Sequence, residues 1–156
     1  MKEATFMTTM ATPTTLTPSI IGQAEKAHKA ILNRILVGTT LDEKQWITVQ
    51  MALAAGATFD RVQLVAGVAS AAKFDPADVE AAIAALTGAG LVQAAPGAGG
   101  QLTFTAAGRV LVENLRGETR DIIARAYGDI PAEDLATTAR VLTAITAKIS
   151  EELAAN

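Results

Sequence analysis

Residues 75–109 read DPADVEAAIAALTGAGLVQAAPGAGGQLTFTAAGR, and the order of signals in them decides the fold. Asp75-Pro76 is a helix N-cap followed by a proline at the first helical position, where its missing N–H is not needed. Val79, Ile83 and Leu86 follow at helical spacing until Gly90 ends the run. Leu91-Val92-Gln93 and Leu102-Thr103-Phe104 are short alternating runs on either side of Pro96-Gly97-Ala98-Gly99-Gly100, the composition of a β-hairpin with a flexible tip. Gly97, Gly99 and Gly100 belong to that turn; no Lys-Ser/Thr follows them to make a phosphate loop. Thr105 then caps a further helix beginning at Ala106. No residue from Ala81 to Gly108 is charged, but Gly88, Gly90, Pro96 and Gly97 interrupt the stretch, so no membrane-spanning helix runs through it.

Upstream, Thr17-Pro18 opens a helix that runs to about Val37 and stops at Gly38. Ile21, Ala24, His28, Ile31 and Ile35 share one face of it, which predicts that this face is buried. Thr40-Leu41-Asp42-Glu43 fits a capping box built from Thr40 and Glu43, opening a helix to Ala55 with Trp46, Val49 and Leu53 on its apolar side. A short helix near Asp60 to Val68 comes next, followed by a small-residue connector, Ala69 to Phe74. Downstream, the helix from Ala106 to about Gly128 carries Leu111, Leu115, Ile122 and Ala126 on one side. Pro131 starts the last helix, where Leu135, Thr138, Leu142, Ile145 and Ile149 approach a heptad spacing. Residues 1–16 read as a flexible tail.

Of the 156 residues, half are hydrophobic and only 4% aromatic, which favours helices packed through small side chains. The chain has no cysteine and one histidine, excluding thiolate chemistry and any multi-histidine metal site within one chain. No catalytic, metal or cofactor constellation is readable. The formal net charge of −3 offers no global attraction to nucleic acid or to an anionic membrane. A signal peptide is not visible, so the default expectation is a cytoplasmic protein without membrane association.

Two helices, a helix-turn-helix pair, a β-hairpin and two long helices are the order of a winged helix-turn-helix held between helical ends. Ala85-Leu86-Thr87-Gly88-Ala89-Gly90-Leu91-Val92 resembles the exit from the recognition helix into the wing in the MarR (multiple antibiotic resistance regulator) family. Leu102-Thr103-Phe104-Thr105-Ala106-Ala107-Gly108-Arg109 is similar to the same family's return from the wing into a dimerisation helix. Ile130 to Leu135 resembles the start of its last helix. The resemblance covers roughly residues 17–154. It implies a mainly α fold with a small β-hairpin wing: a tail over 1–16, a dimerisation helix over 17–39, the winged lobe over 40–105 and C-terminal dimerisation helices over 106–156.

The same resemblance implies a homodimeric, ligand-responsive repressor that reads a palindromic operator in double-stranded DNA, its second helix lying in the major groove. The residues it assigns to DNA are Arg61, Lys73, Ala77, Asp78, Ala81, Gln101 and Arg109. The family's usual basic positions fall on Pro76, Ala81, Ala85 and Ala89, however, while Asp78 and Glu80 make the helix acidic and the wing is uncharged. Only Arg61, Lys73 and Arg109 remain to meet phosphates. The connector Ala69 to Phe74 is also longer than the family's tight turn. A second reading follows: a degenerate winged-helix dimer with weak or no DNA binding, acting through a small molecule or a protein partner.

For a small apolar or anionic effector the candidate residues are His28 and Trp46. His28 reads either as a ligand or pH-sensing group or as a hydrogen-bonded interface histidine, and Trp46 either as a cleft wall or as core. Tyr127 is equally open. Arg116, Arg120 and Arg125, interleaved with Glu113, Glu118 and Asp121, read as a solvated face with local ion pairing.

Overall fold

The computed structural model describes residues 14–97 and 99–155. The expected tail therefore falls outside the described residues up to position 13, as does Ala98 at the wing tip. Among the described residues, six helices and three strands follow in the order α1 (Pro18–Leu36), α2 (Glu43–Ala55), β1 (Thr58–Asp60), α3 (Arg61–Ala72), α4 (Pro76–Gly88), β2 (Val92–Ala94), β3 (Gln101–Phe104), α5 (Ala106–Tyr127) and α6 (Ala132–Ala154). The mainly α architecture with a small wing is as the sequence implies.

Helices α2, α3 and α4 pack on one another as a three-helix head. Trp46 and Val49 from α2, Val68 from α3 and Val79 and Ile83 from α4 are almost wholly withdrawn from solvent there. The wing closes one end of this core: Val92 and Phe104 are buried, and Phe104 meets Phe59 with ring centroids 5.5 Å apart. Helix α5 leaves the head by burying Val112 and Leu115 and then runs alongside α1.

Four local expectations change. The cap of α2 is Asp42, two residues later than Thr40: its side chain accepts from Gln45 N, and the Gln45 side chain accepts from Asp42 N. Thr39 occupies the preceding turn instead, donating to Leu36 O and accepting from Leu41 N, so the chain is still turning at Thr40. Helix α3 extends four residues past Val68, because Ala69-Ser70-Ala71-Ala72 carry no signal that stops a helix. The connector to α4 is thus short, and Lys73 ends α3 in the left-handed conformation at φ +57°.

A third strand also joins the sheet: β1 pairs antiparallel with β3, giving the order β1-β3-β2. Three residues are too few to show alternation, and the Thr103 hydroxyl, donating to Ala57 O, helps hold the strand in place. Finally, the face of α1 named above is not buried within the chain. Only Ile35 and Leu36 of α1 are buried, and Ala24 and His28 are exposed.

The two strings that frame the wing are fastened together. The Thr105 hydroxyl donates to Gly90 O and accepts from Gly108 N, while Thr105 N donates to Leu91 O. One threonine thus caps α5 and joins it to the end of α4. Helix α6 buries none of its residues within the chain.

Candidate nucleic-acid interface and ligand cleft

The outward side of α4 is alanine-rich, with Ala77, Ala81, Ala84 and Ala85 all exposed. Its two carboxylates are already engaged. Asp78 holds Lys44 of α2 at 2.5 Å, and Glu80 accepts from both Nε and Nη2 of Arg61, the first at 2.8 Å. Lys44 also lies over the Phe74 ring, 5.6 Å from its centroid. The hydrogen bond to Asp78 is the main reason that the Lys44 ammonium is held above its ordinary pKa.

These pairs change the balance of charge on the expected DNA surface. Arg61 is committed to Glu80 across the α3–α4 packing, so a phosphate must compete for it. Lys73 is exposed at the end of α3 and forms no ion pair among the described residues. Arg109, in the first turn of α5, is exposed and donates to Phe104 O at 3.1 Å, which fixes it at the foot of the wing. Gln101 is half-buried in β3 opposite Asp60, and its carbonyl accepts from Ala95 N.

A cleft opens where α1, α2 and α5 meet. On the α1–α5 side is a slot of about 360 Å³ lined by Ile31, Ile35, Ile122, Ile123 and Ala126, with His28, Thr119 and Tyr127 as its polar residues. His28 Nδ1 lies 2.6 Å from Ala24 O, and its Nε2 lies 2.5 Å from the Tyr127 hydroxyl. A carbonyl can only accept, so Nδ1 carries the proton, and in neutral His28 Nε2 accepts from Tyr127. The two rings meet edge to face. His28 is therefore a hydrogen-bonded residue and a slot wall at once, and it ties α1 to the end of α5.

On the α2–α5 side lies a second hollow, about 460 Å³, lined by Trp46, Gln50, Arg116, Thr119, Arg120 and Ile123. Trp46 is only 2% exposed, so it is a core residue that shows one edge to the cleft. Thr119 and Ile123 line both spaces, making them neighbours along α5. Lys29 of α1 bridges to Glu43 of α2 at 2.9 Å beside them.

Arg116 pairs with Glu113 at 3.9 Å on the exposed face, as expected, whereas Arg120 forms no ion pair among the described residues. Both line the hollow. Their spacing with Thr119 and Ile123, one face of a helix, was the sequence signal for this wall.

No sequence-family model matches the chain, and no curated protein matches it in sequence. Solved structures do match in shape. A MarR family transcriptional regulator from Silicibacter pomeroyi superposes with a TM-score of 0.70 at 15% identity, over 86% of this chain and 89% of that one. The oxidised form of MarR from E. coli gives 0.62 at 17% identity, over 86% and 96%. BpsR of Bordetella bronchiseptica, whose DNA binding is regulated by 6-hydroxynicotinic acid, gives 0.62 at 21% identity, over 82% and 96%. With head, wing and long flanking helices in the same arrangement, the chain has the fold of the MarR family transcriptional regulators.

Proposed function

We propose that the chain is a homodimeric DNA-binding transcriptional regulator, a repressor released by a small effector. The observation that carries this reading is the pairing of the outward side of α4 and the wing with a long last helix, α6, whose apolar residues the chain does not bury. In α6, Leu135, Leu142 and Ile145 are only partly covered, and Ile149 is 57% exposed. A second copy of the chain is the economical cover, and twofold symmetry then presents two α4 helices to a palindrome. The domain plan follows: residues 17–39 and 106–156 form the stem and 40–105 the reading head.

The cleft lies between stem and head, with α1 and α5 on one side and α2 on the other. A ligand there that fits one stem–head angle better than another shifts the dimer between DNA-binding and released geometries. His28, Tyr127, Trp46, Arg116 and Arg120 are its contacts in this reading. The BpsR structure, with its regulation by a small aromatic acid, supports placing effector control on this fold.

The test is fluorescence anisotropy on DNA from beside the chain's own gene, across a salt series. Lys73 and Arg109 supply four cations per dimer, for a log–log slope of about −3.6. No binding at low salt overturns the regulator reading. A second reading, a winged-helix dimer that does not act through DNA, is favoured by the Arg61–Glu80 and Lys44–Asp78 pairs, which neutralise the face that DNA requires. That result at low salt, together with an intact dimer, is its signature.

A further inference from the structure

The two halves of the cleft have opposite chemistry. With His28 neutral, every side-chain donor in the α1–α5 slot is already spent: His28 donates to Ala24 O, Tyr127 to His28 Nε2, and Thr119 to Leu115 O. The rest of the lining is aliphatic. A polar ligand group entering the slot loses its water and finds no donor to replace it. Next to it, Arg116 and Arg120 present two guanidinium forks; Glu113 lies 3.9 Å from Arg116, and Arg120 forms no ion pair among the described residues. Such forks suit a carboxylate.

The halves meet at Thr119 and Ile123, and Arg120 stands seven residues before Tyr127, about 10 Å along α5. A medium-length alkyl chain covers that span, whereas a single aromatic ring does not. The geometry points to an amphipathic alkyl monocarboxylate as the ligand, its head between Arg116 and Arg120 and its chain running past Ile123 toward Tyr127. This rests on the cleft being the effector site and adds the ligand's class. A second copy of the chain filling the slot is the competing occupant, and it would leave no room for saturable octanoate binding.

The test is calorimetric titration of the full-length protein with octanoate, benzoate and octanol, without DNA. Octanoate binds saturably, once per protomer, and benzoate and octanol bind at least about tenfold more weakly, each lacking the chain or the charge. Arg120→Gln weakens octanoate about tenfold and leaves octanol unchanged. Ala126→Phe, at an exposed position, fills the slot and weakens octanoate without affecting benzoate. Circular dichroism shows that both variants fold. Benzoate equal to octanoate, no saturable octanoate binding, or an Arg120→Gln variant with unchanged affinity overturns the ligand class. Because no DNA is present, such a result is separate from a failure of the regulator reading, which the salt series detects.

Discussion

A Cβ placed on Gly108 would stand 2.1 Å from the carbonyl oxygen of Leu91. The first turn of α5 therefore lies directly on the backbone that leads into the wing, and only glycine permits the approach. Gly108→Ala forces these two backbone segments apart and also strains the Thr105 cap. We expect a loss of about 2–3 kcal/mol of stability in urea unfolding, read from the buried Trp46. Gly117→Ala is the control. It sits within α5 with nothing near its Cβ position, and it gains up to about 1 kcal/mol from helix propensity.

That contact also explains what was legible in the sequence. Gly108 could be recognised from its motif, and Asp75-Pro76, Thr17-Pro18 and Thr105 mark their helix starts through local hydrogen bonds that need no knowledge of the rest of the chain. Local competition misled at Thr40, because Asp42 three residues before Gln45 makes an equally good box. The connector before α4 is shorter than its composition suggests, because alanine runs continue a helix without apolar periodicity. The Arg61–Glu80 and Lys44–Asp78 pairs join residues 19 and 34 positions apart. No spacing rule along a single helix reaches that far. For the same reason Arg116 and Arg120 could be placed on a helix face but not on the wall of a cleft formed with α2.

Releasing Arg61 should strengthen DNA binding. Glu80→Gln removes the carboxylate that holds both Nε and Nη2, freeing one cation per protomer at an exposed site. Two added phosphate contacts per dimer steepen the salt slope by about 1.8. Anisotropy titrations at several salt concentrations measure it. The fold tolerates the change, since exposed ion pairs contribute about 1 kcal/mol or less.

Lys73 sets stability against binding. It is the non-glycine residue with positive φ among the described residues, and a Cβ in that conformation costs about 1 kcal/mol. Lys73→Gly should raise the unfolding free energy by roughly that amount. The same change removes a cation at the α3–α4 junction, so the salt slope becomes shallower by about 1.8 per dimer. Thermal melts and DNA titrations on one sample should move in opposite directions.

At alkaline pH the surface pairs give way in a defined order of cause. Glu43 holds the Lys29 ammonium, and Asp78 that of Lys44, above the ordinary value of 10.5. A raised folded-state pKa means that the stabilisation is complete below 10.5 and disappears as the pH climbs through the higher folded value. Urea midpoints of the native chain and of a Glu43→Gln, Asp78→Asn double variant should therefore keep a constant separation from pH 7 to 9 and converge above 10.5.

The stem is tested at Ile145. Leu142 and Ile145 are half-buried at the centre of α6, and the helix leaves Val141, Ile149 and Leu153 exposed. An isolated charge introduced there meets water in a monomer but an apolar seam in a dimer, where leaving it unpaired costs several kcal/mol. Ile145→Glu should therefore lower the mass read by light scattering from that of the proposed dimer to that of a monomer. The head does not use α6, so Trp46 emission stays unshifted in that monomer. Affinity for a full palindrome then falls to that for a half-site, because two heads no longer bind as one unit.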